Sequence, residues 1–515
     1  MNSVPKHVIQ NCTSIRENSV LGRFLIASDK TVARDVLIEE LPYTLGPKCN
    51  SRVVCLGCYV PVQCNSNVAD RCSQCKWPLC ADCAASVGAT NAVGVTNLHR
   101  GGECAILQKA KAQFFALQND VSGCPQLDCI TPLRVLLAKE ANPERWEKEI
   151  APMEYHDEQR RQMTEIWNAD RVNIAQYLRG PCKLERFSED LIMQVVGILE
   201  VNAFEARTLQ GYPLRGLYPI TGLLAHNCVP NTARSIYPSE GYRIRLRAMV
   251  DLEAGQQLEH SYTFTLHGTA QRQEHIKLGK FFTCMCQRCK DPTELGTYFS
   301  TFKCSKCEDG WILSTNPLDS LAAWKCNICE FKSSSNAIQK AVAVIQGEVS
   351  EVQTIEDGAE RLQETEKLMR KYRSILHPLH FILTGLRQNL IEMYGRVQGY
   401  EMVELPDVLL ERKEELCRQV LRVLNVFEPG LSRSRAMMLY EQHVPLVLLA
   451  KSGFIAGVLT GEALKNKLSE AIEILRECVD ILQHEDAASQ EGVLGQVAKQ
   501  ALEQLSLSVE GLNGE

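Results

Sequence analysis

The chain has 515 residues, 45% of them hydrophobic and 23% charged, and a formal net charge of −6 at pH 7. That length exceeds one ordinary core and predicts about two to four compact units of a globular, non-disordered protein. The acidic balance argues against a surface built for duplex DNA, and apolar runs such as Val444–Ala450, interrupted by Pro445, fall far short of the roughly 18–20 residues a membrane span needs.

Four stretches differ in character along the chain. Residues 1–50 alternate apolar and polar positions, which predicts strands over Arg23–Ile26 and Val36–Ile38. Their amino-terminal segment has no apolar stretch and no cleavage signal, so an intracellular protein of nucleus or cytoplasm is expected. Residues 51–104 are rich in cysteine, poor in aliphatic side chains and too small to hold a core without metal. Residues 105–335 mix helical patterns, at Cys104–Asn119, Asp157–Tyr177 and Glu189–Leu209, with a strand-like run at Tyr242–Val250.

From Ser335 onward the pattern is helical. Apolar stripes run through 357–373, 379–397 and 405–428, with breaks at Pro378, Pro406 and Pro429-Gly430. Leu464, Leu468, Ile472, Leu475, Val479 and Leu482 recur at three- and four-residue spacing and line one helical face, with Thr460 as its N-cap. Such helices with short connections stack as a bundle or solenoid, tetratricopeptide-like by analogy. Cys417 and Cys478 fall inside these helices, where a thiol behaves as a small buried apolar group.

The 23 cysteines are grouped rather than scattered. C-x-x-C pairs stand at 55/58, 72/75, 80/83, 286/289, 304/307 and 326/329. Two thiols spaced this way turn both sulfurs toward one metal, so zinc is expected rather than disulfides. The first block offers Cys55, Cys58, Cys72, Cys75, Cys80, Cys83, His99 and Cys104, enough for two sites, with Cys64 as an alternative ligand. A second set is Cys228, Cys284, Cys286 and Cys289. The third, Cys304, Cys307, Cys326 and Cys329, reads as a zinc ribbon with Gly310 and Trp311 at the turn between its arms. Four fully ligated sites, about four ions in all, leave no open position for catalytic water, so the expected zincs are structural. Cys12, Cys49, Cys64, Cys124, Cys129 and Cys182 default with Cys417 and Cys478 to free thiols.

Cys228-Val229-Pro230-Asn231, then Ser261-Tyr262, then Cys284-Met285-Cys286-Gln287-Arg288-Cys289 resemble in order and spacing the core and post-SET cluster of SET-domain lysine methyltransferases. The earlier cysteine block narrows the resemblance to the SMYD type, in which a MYND zinc module interrupts the SET domain, and the ribbon resembles the arthropod-specific SmydA-like branch. The resemblance implies an α+β fold: the amino-terminal part of a β-rich SET domain at 1–50, a MYND module at 51–104, the SET insertion, core and post-SET cluster at 105–290, a zinc ribbon at 291–335 and an α-helical domain at 336–515. It assigns Cys55, Cys58, Cys80 and Cys83 to one MYND zinc and Cys72, Cys75, His99 and Cys104 to the other. Cys80-x2-Cys83 and His99-x4-Cys104 depart from the family's C-x3-C and H-x3-C, within spacings that tetrahedral zinc tolerates.

The same resemblance implies S-adenosylmethionine as methyl donor and a protein carrying a lysine as acceptor. Gly22-Arg23-Phe24-Leu25 is similar to the opening that supports the cofactor carboxylate, and Asn202-Ala203-Phe204 to the N-x-F segment that contacts its methionine part. Gly216-Leu217-Tyr218-Pro219 precedes the cofactor strand, His226 contacts the cofactor largely through its backbone, and Phe282 stacks on adenine. Tyr262 is the candidate catalytic tyrosine, aligning the methyl through weak C–H···O contacts while an apolar channel keeps the lysine amine neutral. Two positions depart from the family: Ala225 replaces a cofactor-binding asparagine, and Lys280 stands where relatives place a tyrosine lining the lysine channel. These favour the alternative of a catalytically weak SET/MYND scaffold acting as a protein-binding transcriptional regulator; Asn202, Asn231, Tyr262 and Phe282 favour the enzyme, which is the reading adopted. The MYND resemblance implies proline-rich peptide partners. No zinc finger with a basic reading helix is present, so direct nucleic-acid binding is not expected.

Overall fold

The computed structural model of the chain describes residues 8–10, 12–62, 70–85, 98–115 and 123–511. Cys64, the alternative ligand, lies outside the described residues.

Two small antiparallel sheets organise the amino-terminal half. In the first, Val36–Glu40 pairs with Val8–Gln10 on one side and Arg243–Ala248 on the other, and Thr232–Tyr237 closes the far edge. Alternation along Arg243–Ala248 explains its place: Ile244 and Leu246 turn into the core, while Arg243 and Arg245 face Glu39 and Glu240. Leu25, Leu37, Ile38, Leu246, Leu252 and Leu258 form the apolar centre behind this sheet. In the second sheet, Pro213–Leu217 lies between Thr44–Pro47 and Phe204–Arg207, with Thr44 opposite Leu217 and Pro47 opposite Leu214. Residues 48–203 therefore form an insertion between two strands that flank the same central strand, Pro213–Leu217. That loop carries the first cysteine block and a separate core around Trp77, Leu127, Trp146, Ile192 and Ile198.

Helices predicted in 105–209 are shorter than expected, for local reasons. The first spans Cys104–Ala110 and stops where Lys111 adopts a left-handed conformation, φ 57°; its expected continuation past residue 115 lies outside the described residues. Asp157–Tyr177 breaks at Met163 into Asp157–Gln162 and Thr164–Asp170, followed by a wider turn over Arg171–Gln176. Glu189–Asn202 begins as its sequence dictates: Ser188 accepts from the Leu191 amide at 3.2 Å, and Glu189 and Asp190 face the positive helix end. It does not reach Leu209. Ala203 turns extended and Phe204–Arg207 becomes a strand, because pairing with Pro213–Gly216 satisfies its backbone in a sheet.

The predicted strands lie within Gly22–Ala27, Val36–Glu40 and Arg243–Ala248, the last trimmed at both ends. Strands Phe302–Lys303, Trp311–Ser314, Trp324–Cys326 and Lys332–Ser333 form a small antiparallel sheet around the third cysteine set. A Cβ on Gly310 would fall 2.5 Å from both Cys307 Sγ and Cys326 Sγ, so this turn tolerates no side chain.

Beyond it come Ser335–Gln353, Gly358–Tyr372, Phe381–Met393, Asp407–Phe427, Arg433–Ile455, Gly461–Leu482 and Gln490–Gly511, each packed on the next. The Leu464–Leu482 stripe faces the core, Cys417 and Cys478 are wholly buried, and Thr460 accepts from the Ala463 amide at 3.2 Å. This domain grips the first sheet from the side. Ser235 Oγ donates to Glu485 at 2.9 Å, Ser239 Oγ to Asp486 at 2.6 Å, and the Leu431 amide to the Met249 carbonyl at 3.2 Å.

Gly430 is the tightest point of that grip. Its φ is +75°, and a Cβ there would lie 2.0 Å from the Met249 oxygen. Gly430→Ala should therefore destabilise by more than the about 1–3 kcal/mol of a left-handed side chain alone. Gly457, at φ +72° with open space around it, is the control. Thermal melting should show a clearly larger drop in midpoint for Gly430→Ala than for Gly457→Ala; equal drops would mean the Met249 contact contributes nothing.

Candidate functional site

The strand Ala225–His226 runs parallel to Glu259–His260, which puts two loops distant in sequence against each other. Asn231 locks them: its side-chain amide donates to the Gln257 carbonyl at 2.8 Å, and its oxygen accepts from the Glu259 amide at 2.8 Å. Thr232 Oγ1 adds a bond to the Glu259 carbonyl at 2.8 Å. Three residues past Glu259, the Tyr262 amide donates to His226 Nδ1 at 3.0 Å, and the two rings stand 5.0 Å apart. Nδ1 as acceptor places the imidazole proton on Nε2, which faces Cys228 Sγ at 3.4 Å. Burial holds the His226 pKa down at about 4, so the ring is neutral. The Tyr262 hydroxyl donates to the Leu224 carbonyl, and burial pushes its pKa up to about 12, so it remains a phenol.

Phe282 joins this group with its ring 6.1 Å from His226 and 38% exposed, a partly open aromatic face. Lys280 does not turn to solvent. Its ammonium donates to the Val201 carbonyl at the end of the Glu189–Asn202 helix and lies 5.6 Å from the Tyr262 ring centre, and burial lowers its pKa. Next to Val201, Asn202 donates its side-chain amide to the carbonyls of Glu154 and Ile198 at 2.8 and 2.9 Å. With that nitrogen committed, its oxygen is the end left to accept from a ligand ammonium. Gly22 and Arg23 lie beside the turn of the Thr13–Asn18/Gly22–Ala27 hairpin. Their strand approaches the site further along, where the Leu258 amide donates to the Leu25 carbonyl at 2.9 Å.

All four ligand sets converge. Within each of Cys55/Cys58/Cys80/Cys83, Cys72/Cys75/His99/Cys104, Cys228/Cys284/Cys286/Cys289 and Cys304/Cys307/Cys326/Cys329, the donor atoms lie within 4.8 Å of one another. Among the described cysteines none is joined in a disulfide. Tetrahedral sulfur-rich sets of this size fit structural zinc. Their surroundings fit metal-bound thiolates as well. Arg272, fully buried, directs Nε to Cys228 Sγ at 3.3 Å and Nη2 to Cys289 Sγ at 3.6 Å. A zinc with four thiolates is a dianion, and a buried guanidinium beside it offsets charge that burial alone would disfavour.

No family model matches the chain. It is 26% identical over 325 residues to SET domain-containing protein SmydA-8, isoform A, of Drosophila melanogaster, covering 62% of this chain and 64% of that protein. It is 29% identical over 135 residues to histone-lysine N-methyltransferase Smyd1 of Mus musculus, covering 23% and 27%, and 32% identical over 83 residues to N-lysine methyltransferase SMYD2-B of Xenopus laevis, covering 15% and 19%. These likenesses support a SMYD-type SET and MYND reading of the chain, in the SmydA-like branch. The match spans a little under two thirds of the length of SmydA-8.

Several residues that hold this site together are ones the sequence motifs do not single out. Glu103 is fully buried and accepts from His99 Nδ1 at 2.8 Å, fixing which ring nitrogen faces the cysteines. Burial would raise its pKa, but Arg134, with His99, brings it down to about 2. Arg134 donates to that carboxylate at 2.8 and 2.9 Å and to the carbonyls of Leu45 and Leu56, tying the cysteine block to the sheet and to the Ile130–Ala141 helix. The spacing His99-x3-Glu103 was the available clue. Glu294 accepts from Arg272 at 3.0 Å and Arg288 at 3.1 Å, both buried. Glu40 accepts from the amides of Ile220 and Thr221 at 2.9 Å, and burial pushes its pKa up to about 7. It thereby holds the loop that ends at Leu224, the acceptor for Tyr262.

Two measurements test the metal centres. Elemental analysis should find close to four zinc ions per chain, and a value of two or fewer would contradict the ligand sets. Cys304→Ser should lose one ion and loosen 300–330 while the other three sets keep theirs. Loss of two ions, or none, would show that the ribbon site is not independent.

Proposed function

We propose that the chain is a protein-lysine N-methyltransferase using S-adenosylmethionine, with a histone or other protein as substrate. The observation that carries this reading is the packing of Tyr262 and Phe282 against His226 on the Asn231 clamp, with Lys280 running from the Tyr262 ring to Val201, the neighbour of Asn202. Domains follow as proposed from the sequence: SET at 1–50 and 105–290, MYND at 51–104, ribbon at 291–335 and helical domain at 336–515. The zinc ions are structural, the setting is intracellular, and proline-rich peptides are the partners assigned to the MYND module. Among the described residues, no helix is long and apolar enough to cross a membrane.

When bound, S-adenosylmethionine supplies a methyl group on a sulfonium sulfur. Asn202 offers an acceptor for its ammonium, Phe282 an aromatic face for adenine, and the His226 backbone a rim for its methionine part. Ala225, 9% exposed, offers no polar group where relatives carry asparagine. That omission costs about 1 kcal/mol, or roughly fivefold in affinity. Tyr262 cannot act as a base while its phenol stays protonated, so its hydroxyl, held by the Leu224 carbonyl, would act by orienting the group to be transferred. Lys280 places a buried cation donor beside the phenol. Such a group disfavours a protonated substrate amine and leaves the neutral, nucleophilic form as the one admitted.

Lys280 is also the observation behind the second reading, a scaffold that binds proteins without turnover. Tyr262→Phe separates the two. For the enzyme it should preserve folding, zinc content and cofactor affinity by calorimetry, and lower turnover tenfold to a hundredfold, about 1.4–2.7 kcal/mol of transition-state stabilisation. Full biological rescue by Tyr262→Phe, with no cofactor heat at millimolar concentration, would establish the scaffold instead.

A further inference from the structure

A cleft of about 180 Å³ opens between the first sheet and the helical domain. One wall is the Thr232–Tyr237 strand with Ser261 and Thr263, the residues flanking Tyr262; the other is Glu428–Ser434 with Ile481 to Glu485. Three arginines line it: Arg234, Arg247 and Arg433. Among the described residues, neither Arg234 nor Arg247 has a carboxylate within 4.0 Å, although Arg247 is only 9% exposed. Arg234 donates to His260 Nε2 at 3.1 Å and to the Glu205 carbonyl at 3.2 Å, both neutral acceptors, and Arg247 reaches the Tyr237 hydroxyl at 3.5 Å. His260 contributes no charge, since burial holds its pKa near 3.

Two carboxylates share the cleft, and both have partners. Glu485 accepts from Ser235 Oγ at 2.9 Å and stands 3.7 Å from Arg433, and Glu428 accepts from Ser432 Oγ. Arg433 also lies 4.0 Å from Glu491, so the guanidiniums left without a carboxylate in this partly closed space are those of Arg234 and Arg247. Two further polar atoms on the lining, Thr263 Oγ1 and His484 Nε2, are buried without a hydrogen-bond partner. Buried guanidiniums and orphaned polar atoms are costly unless a ligand completes them. The ligand that completes this set is an anion with oxygen acceptors.

We propose that this cleft selects substrate segments carrying an aspartate or glutamate within a few residues of the target lysine, the side-chain carboxylate seating among Arg234, Arg247 and Arg433. The proposal rests on the methyl-transfer reading for the word substrate, but the recognition itself needs no turnover. Ser261 and Thr263, the chain neighbours of Tyr262, line this cleft, which sets the arginines on the surface that a chain delivering a lysine to Tyr262 would cross. A polypeptide side chain is therefore the occupant that the placement favours over a free anion.

The test uses the full-length, zinc-replete protein and fluorescein-labelled peptides with one central lysine. One has aspartate or glutamate at the three positions on either side, a second has the matching asparagine or glutamine, and a third has phosphoserine. Anisotropy should show the acidic peptide binding about fivefold or more tightly than the amide peptide at 50 mM salt, with the gap narrowing at 300 mM. Arg433→Gln, at a half-exposed side chain, should shrink that gap about fivefold, with melting and zinc content showing that it folds. Equal binding of acidic and amide peptides, or a gap that Arg433→Gln leaves intact, overturns the proposal, as does a preference for phosphoserine with no gain from aspartate or glutamate. Charge-selective binding without any methylation would uphold the cleft and sink the enzyme; Tyr262-dependent methylation indifferent to flanking charge would do the reverse.

Discussion

The parallel contact between Ala225–His226 and Glu259–His260 is the constraint on which the site depends. A ladder of two residues supplies too few hydrogen bonds to hold itself. It is held from outside on both flanks. Asn231 spans it with two side-chain bonds, and the Cys228 quartet fastens the loop after His226 to the 284–289 segment. His226 belongs to both arrangements, one ring nitrogen accepting from Tyr262 and the other facing Cys228 Sγ. Quartet, clamp and tyrosine are thus mechanically one unit.

Buried charge does the equivalent work at larger scale. Glu294 gathers Arg272 from the metal side and Arg288 beside it, and the Arg288 guanidinium lies 3.3 Å from the centre of the Phe427 ring in the helical domain. Removing one member would strand a buried charge, which costs far more than the net worth of an intact pair. Glu103 and Arg134 do the same between the first cysteine block and the second sheet. The ribbon is fastened differently, by backbone: the Lys303 amide donates to the Ile375 carbonyl and the Phe381 amide to the Phe299 carbonyl, both at 2.8 Å. The cleft beside Tyr262 has one wall from each half of the chain, so its shape and charge depend on these fastenings.

Reading the sequence worked best where the chemistry is local. Thiols two residues apart, an apolar stripe with a Thr cap and an alternating strand each declare themselves within a few residues, and the structure has the quartets, the Gly461–Leu482 helix and the Arg243–Ala248 strand in those places. Reading failed where pairing with a distant strand overrode local pattern. Phe204–Arg207 continues a helical spacing yet becomes a strand, because Pro213–Gly216 supplies the partner that its backbone takes up. Lys280 shows the same limit for a side chain: a lysine near a cysteine block reads as solvent-facing or channel-lining with equal ease, and only the position of the Val201 carbonyl decides.

What the sequence by itself determined is which groups bind metal, which segments are helical and which short motifs resemble the SET and MYND pattern, because ligand spacing and periodicity are properties of neighbours along the chain. What only the tertiary structure decided is who stands beside whom. The burial of Glu103, Glu40 and Glu294, the gap of 36 residues that Tyr262 closes to reach His226, and the meeting of Arg234 and Arg247 with Arg433 are all contacts between distant segments. A charged residue carries no local mark of whether it will face water or a buried partner, since that depends on which surface the rest of the fold brings against it.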